Sequence, residues 1–168
     1  MKRVVVTGMG IVSSIGDNVE EVLDSLRHAK SGITRSEEYA QMGFRSQVYG
    51  RPAFDVEQGL DRRARRFMGE GAAWNYVAMQ QAIDDSGLPE DMVSHPRTGM
   101  IMGSGGPSTE AIVAAADITR SNGSPKRVGP FAVPKAMSST NSATLATPFK
   151  IKGVNYSISS ACATSNHC

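Results

Sequence analysis

The run "YSISSACATSNHC" (156–168) carries a thiol at a place where chemistry is possible. Its alternating part ends at Ser159 or Ser160, and the small residues that follow let the backbone bend sharply. Cys162 then falls at or near the first turn of the next helix. Unpaired amides and the positive end of a helix dipole favour a thiolate over a thiol there. The same amides suit an oxyanion, formed when that thiolate attacks a carbonyl. A strand-to-helix bend with a nucleophile at its apex is the arrangement of hydrolase elbows, by analogy. The competing reading is a buried structural cysteine, a small hydrophobe with no chemical role. His167 lies five residues on, about 140° round a helix at ~100° per residue, which suits a structural role better than that of a base. Cys168 lies six residues on, past the turn where the dipole field fades, and is expected to be packed and inert.

Three other stretches invite a functional reading. "TGMGIVSS" (7–14) resembles a dinucleotide fingerprint, with Gly8 and Gly10 in place. Ser13 stands where the third glycine belongs, however, and no acidic residue follows a second strand at the proper distance. A tight strand exit accounts for it better. "GSGGPS" (103–108) could cradle a phosphate on its amides but lacks the Lys-Ser/Thr ending of a P-loop. A sharp turn beside a crowded site fits it better. "DRRARRF" (61–67) sets Arg62, Arg63, Arg65 and Arg66 within five positions. That is either a solvated face or a patch for a phosphate-bearing or carboxylate-rich partner, whose geometry Arg forks match.

The elements that would position these residues follow from periodicity and punctuation. "RVVVTG" (3–8) reads as a buried strand. Asp17 with Glu20 forms a capping-box-like start to a helix whose apolar face is Val19, Val22, Leu23 and Leu26. "FRSQVYG" (44–50) suggests a short strand. A long helix is expected from about Phe67 to Ser86, with Ala72, Tyr76, Met79 and Ile83 as its stripe and Gly87–Pro89 as its stop. "TGMIMG" (98–103) reads as a second buried strand, 109–120 as a helix, 121–130 as a loop, 135–147 as a small-residue helix closed by Pro148, and "GVNYSIS" (153–159) as the last strand. Strands alternating with helices argue for an α/β fold with a largely parallel sheet.

Composition bounds the partners. Across 168 residues, 18 Lys and Arg against 16 Asp and Glu leave a net charge of +2, which offers no bulk polycation for nucleic acid. No apolar run is long enough to span a membrane. "MKRVVVTGMG" is too short and too Gly-rich for a signal peptide, so a cytoplasmic protein is expected. Two cysteines are no disulfide framework. The sequence calls for no metal and no cofactor.

Taken together, "VVVTGMGIVSSIG", "SLRHAKSGI", "RRFMGEGAAWNYVAMQQAIDDSGL", "IMGSGG", "VGPFAVPKAMSS" and "ATPFKIKGVNYSISSACATS" resemble the β-ketoacyl-acyl carrier protein synthases, condensing enzymes of the bacterial synthase I type. The resemblance covers nearly the whole chain, and its "SSACATS" block is the most specific part. It implies the N-terminal half of a thiolase-like, five-layered αβαβα fold, with residues 1–168 ending just after the nucleophile and the C-terminal half absent. It implies a homodimer joined partly by the strand at about 153–158. It further implies a decarboxylative Claisen condensation that elongates fatty acids, with Cys162 as nucleophile and oxyanion amide. Arg62, Arg63 and Arg66 match a patch that meets the acidic acyl carrier protein, as do Lys126 and Arg127. Gly106 and Met137 match positions at the acyl tunnel, and Pro107 stands where relatives carry Gly. Two histidines, a lysine, a glutamate and a Gly-rich loop with Phe belong to the second half of such enzymes and have no match here. Two rival readings follow. One is a non-catalytic dimer partner, which typically lacks the cysteine. The other is a piece that binds acyl carrier protein without condensing.

Overall fold

The computed structural model describes residues 2–106 and 108–168. In chain order its elements are α1 (Val19–Arg27), β1 (Ile33–Arg35), α2 (Glu37–Gln41), β2 (Val48–Gly50), α3 (Val56–Gly59), α4 (Arg62–Arg65), α5 (Glu70–Ser86), α6 (Glu90–Val93), β3 (Met100–Gly103), α7 (Thr109–Asn122), a 3₁₀ turn (Pro125–Arg127), α8 (Ala132–Ala136), α9 (Thr140–Ala146), β4 (Asn155–Ile158), a second 3₁₀ turn (Ala161–Ala163) and α10 (Thr164–His167). Contacts divide the chain into two compact units, Met1–Asp55 with Val77–Gly87, and Val56–Tyr76 with Leu88–Cys168.

In the first unit the apolar opening does not form the expected strand. Val4, Val5 and Val6 are 94%, 73% and 82% exposed, and no described residue pairs with them. A ladder needs a neighbour, and β-propensity alone supplies none. The glycines after that run have a packing role instead. A Cβ on Gly8 would lie 2.2 Å from the Ala82 carbonyl oxygen, and one on Gly10 would lie 1.8 Å from that of Ala78, so only Gly lets the backbone approach α5 this closely. Side chains of the helix then take the next amides: Met9 N–H donates to Asp85 (2.9 Å) and Ile11 N–H to Gln81 (3.0 Å).

The cap of α1 sits one residue later than Asp17 and Glu20 suggest. Asn18 is the extended N-cap. Its carboxamide accepts from Glu21 N–H (2.9 Å) and donates to the Glu21 carboxylate (2.9 Å). Asn can do both, which Asp cannot. Asp17 is left to accept from Phe54 N–H (3.3 Å). Val19 and Val22 are half-buried, but Leu23 and Leu26 are exposed. The helix turns Ser25 inward instead, and its hydroxyl donates to the Ile15 carbonyl (2.7 Å). β1 and β2 pair antiparallel, Ile33 opposite Gly50. The expected strand at 44–50 is thus β2, while β1 carries too short a pattern to be read from sequence.

The second unit holds every buried apolar side chain among the described residues: Met68, Ala72, Ala73, Val93, Met100, Leu145 and Phe149. Tyr76 and Phe149 stack at 4.9 Å between centroids. β3 and β4 pair in parallel, from Met100 opposite Asn155 to Gly103 opposite Ile158. α7 is capped by Ser108 and stopped by Gly123 at φ +60°, the left-handed C-terminal signal. The expected helix over 135–147 is two helices, with Met137 extended between them at ψ 147°. Ser138 and Ser139 follow, and serines compete for nearby backbone groups at such a break; the Ser142 hydroxyl donates to the Ser139 carbonyl (3.2 Å). Lys150, between α9 and β4, sits at φ +51°, and its ammonium meets Glu90 of α6 at 2.6 Å.

Candidate nucleophile site

The parallel pair ends where Cys162 begins to matter. After Ile158 the chain leaves β4 and bends at Ala161, a non-glycine residue at φ +48°. Such a conformation costs roughly 1–2 kcal/mol and persists only when its surroundings impose it. Cys162 follows in the 3₁₀ turn and is exposed, as is Cys168. The two closing bonds of that turn employ the N–H groups of Ala163, to Ser160 O (3.0 Å), and of Thr164, to Ala161 O. The Cys162 amide belongs to the first positions of the turn, which such bonds leave out. α10 adds four residues beyond it. Cys168 is therefore not the packed thiol expected from its position. Its sulfur lies beside Gly103, where an added Cβ would come within 2.9 Å, yet the residue remains open to solvent. His167 is likewise exposed, and its ring makes no hydrogen bond among the described residues, so the structural role expected for it is not seen.

The glycine loop after β3 backs directly onto this bend. A Cβ on Gly105 would lie 3.0 Å from the Ala161 carbonyl oxygen, and one on Gly103 would lie 2.4 Å from the Thr164 γ-methyl. The Ser104 hydroxyl donates to Gly106 O and accepts from Gly106 N–H (3.2 Å), curling the loop on itself. Here "GSGG" is a tight turn beside a crowded site, as its composition suggests. Gly106 is exposed in the loop, and among the described residues no atom beyond its chain neighbours lies within 4 Å of where a Cβ would stand. Pro107 lies outside the described residues.

A polar seam ties α9 to the same strand ends. The Asn141 amide donates to Gly103 O (2.9 Å), the Ser142 and Ser157 hydroxyls bond each other, and Asn155 donates to Ser142 O (3.2 Å). Thr140, Asn141 and Ser142 are all buried. Met137, half-buried at the break before α9, sits four residues ahead of Asn141 and bonds only within its own segment. Sequence reading missed this seam because "SSTNSAT" looks like a weak helix. The available signal was its unusual run of small polar residues.

The basic residues lie apart from the thiol in sequence, and one of them, Arg66, packs on an aromatic pair. Asp61 caps α4 by accepting from Arg63 N–H (2.9 Å) and Ala64 N–H (3.3 Å). Arg62, Arg63 and Arg66 are exposed, while Arg65 turns inward and pairs with Glu57. Phe67 meets Phe131 edge-on at 5.1 Å, and the Arg66 guanidinium lies 5.2 Å and 5.7 Å from those two ring centroids. Lys126 and Arg127, both exposed, occupy the 3₁₀ turn four to five residues before Phe131. Among the described residues, no helix is long and apolar enough to cross a membrane.

A family model described as "Beta-ketoacyl synthase, N-terminal domain" matches residues 1–168. The chain belongs to the β-ketoacyl synthase family. It is 51% identical over 168 residues to 3-oxoacyl-[acyl-carrier-protein] synthase 1 of Haemophilus influenzae, and 54% identical over 169 aligned residues to the protein of that name in Escherichia coli K12. All of this chain aligns in both cases, but only 41% and 42% of those proteins. In three dimensions it matches the crystal structure of a β-ketoacyl synthase from Burkholderia phymatum with a TM-score of 0.82 and 26% identity, over 99% of this chain and 41% of that one. The mixed α/β architecture is thus that of the N-terminal part of the thiolase-like ketosynthase fold.

Proposed function

We propose that this chain is the nucleophile-bearing N-terminal part of a fatty-acid condensing enzyme, with the rest of the thiolase-like domain supplied by sequence outside these 168 residues. The observation that carries the reading is the exposed Cys162 directly after Ala161 at φ +48°, at the end of a parallel strand pair. The Cys162 thiolate attacks the carbonyl of an acyl thioester on acyl carrier protein. The carrier thiol leaves, taking a proton, and an acyl-cysteine remains. A malonyl unit on a second carrier then loses carbon dioxide. Its enolate attacks the acyl-cysteine carbonyl and expels the Cys162 thiolate, giving the β-ketoacyl carrier. The backbone N–H of Cys162 stabilises the oxyanion in both steps. The names of the relatives, with their acyl-carrier-protein substrate, support this assignment. A cytoplasmic homodimer joined partly through the strand at about 153–158, with Gly106 and Met137 at the acyl tunnel, completes the reading.

The exposed guanidinium groups of Arg62, Arg63 and Arg66, with Lys126 and Arg127, form the docking patch for the acidic carrier. Rim charges of this kind act mainly on encounter rate and salt sensitivity. Incubation of the whole protein with acyl-loaded carrier should place the acyl group on Cys162 by peptide mass mapping, and Cys162→Ala should abolish it. Acylation of Cys168 instead would overturn the assignment. Charge reversal at Arg62, Arg63 and Arg66 should slow transfer from the carrier while sparing a small thioester. Equal loss with both would count against the patch. The 168-residue polypeptide alone should yield no β-ketoacyl product above a Cys162→Ala control.

A further inference from the structure

We propose that Thr164 is a positioning residue for Cys162, one hydroxyl holding the strained bend that presents the thiol. The proposal rests on the reading of Cys162 as the nucleophile. Thr164 Oγ1 accepts from the Ser160 N–H at 2.8 Å and donates to the Ala161 carbonyl at 2.8 Å. The two groups lie on either side of the Ser160–Ala161 step: one is the N–H of Ser160, the residue before Ala161, and the other is Ala161's own carbonyl. A single hydroxyl therefore bridges the residue at φ +48°, immediately before the thiol. Both capacities of the hydroxyl, one donor and one acceptor role, are used.

The side chain is well placed to be rigid. Thr164 is 4% exposed, and its γ-methyl lies against Gly103, where an added Cβ would come within 2.4 Å of it. The methyl thus seats on the end of β3 and fixes the rotamer, while the hydroxyl on the same carbon faces the bend. Two backbone bonds, Ala163 N–H to Ser160 O and Thr164 N–H to Ala161 O, flank the same residue, so loss of the hydroxyl removes two of the four hydrogen bonds across the bend and lets Ala161 relax toward negative φ. That rotates the 161–162 peptide and moves both the Cys162 N–H and its side chain. A left-handed Ala161 needs some external cause, and this hydroxyl supplies the side-chain bonds that span it.

Two variants separate this role from simple packing. Thr164→Val keeps the shape and removes both hydrogen bonds. Thr164→Ser keeps the hydroxyl and removes the methyl. In the protein expressed whole from its gene, the probe is timed alkylation by iodoacetamide across pH 6–9 with peptide mass mapping, with Cys168 as internal reference and thermal melting as control. Thr164→Val should slow Cys162 labelling relative to Cys168 by about tenfold, the lower end of the scale for two lost buried hydrogen bonds. Thr164→Ser should stay within about threefold of the parent, since its hydroxyl can still bridge the bend. The reverse order, with Val silent and Ser impaired, would show that only packing matters and would overturn the proposal. Equal loss in both would do the same. If acyl transfer to Cys162 fails in the parent while the Val-versus-Ser order holds, the functional reading falls and the positioning role stands.

Discussion

Two apolar runs, each closed by a glycine, meet opposite fates in this chain. Val4, Val5 and Val6 lead to Gly8 and stand almost fully exposed; Met100, Ile101 and Met102 lead to Gly103 and form a strand with Met100 buried. The first is the stronger strand former by residue type, since three valines outrank a Met-Ile-Met run. What differs is the neighbour. The second run has β4 alongside in register, together with a bond from Met100 N–H to Val154 O (2.7 Å). The same contrast runs through the two units. In the first, the buried residues among those described are Ser25 and Ser36; in the second, seven apolar side chains form a core. Strand propensity therefore becomes structure only where a paired ladder exists, as in β1–β2 and β3–β4, and the candidate nucleophile sits in the unit whose ladder is also backed by a core.

The contrast can be broken at the glycine. Gly103→Ala would drive a Cβ to 2.4 Å from the Thr164 γ-methyl and 2.5 Å from the Ile158 carbonyl oxygen. Overpacking of this kind typically costs about 1–3 kcal/mol, and here it should also slow Cys162 alkylation. An unchanged melting temperature would mean that the strand end and the bend are not in the contact described. Amide hydrogen exchange sharpens the comparison next. Residues 100–103 should be protected and residues 4–6 should exchange close to the unprotected rate in the 168-residue polypeptide. Strong protection of 4–6 would show that the run has a ladder partner after all.

A smaller effect concerns the edge of the cored unit. The Lys150 ammonium holds the Glu90 carboxyl below its usual range, and Glu90 raises Lys150, through their hydrogen bond first and charge second. The depressed Glu90 contributes stability above the unfolded glutamate value that is lost as pH falls through its folded one. The raised Lys150 contributes stability that is lost as pH rises through its own. Lys150→Met should therefore lower the melting temperature slightly at neutral pH, with the difference shrinking as pH falls below the ordinary glutamate range and as it rises above the ordinary lysine range. A difference that does not shrink at all as the carboxylates are titrated would point to lost packing rather than the ion pair. The smallest effect belongs to the open run: Val5→Asp should alter stability of the 168-residue polypeptide by no more than about 0.5 kcal/mol, as for other exposed sites. A loss several times larger would show that the segment is buried after all.

Local chemistry placed much of this in the sequence itself. Small residues after an alternating run marked the bend and its thiol, Gly87 and Pro89 marked the end of α5, and the arginine spacing marked an exposed basic face. These are properties of a few adjacent residues, and neighbours in sequence suffice to specify them. Other features were settled by residues far apart in the chain. Gly8 and Gly10 read as a tight strand exit until Ala78 and Ala82 are seen beneath them. The polar run before Leu145 looks like a weak helix until Asn141 reaches Gly103 and Ser142 reaches Ser157. Thr164 is one of several small residues near the thiol until its hydroxyl is found across Ala161. Hydrogen bonds and close approaches of this kind depend on distances in space, which residue type and spacing do not encode, so only the tertiary structure decided them.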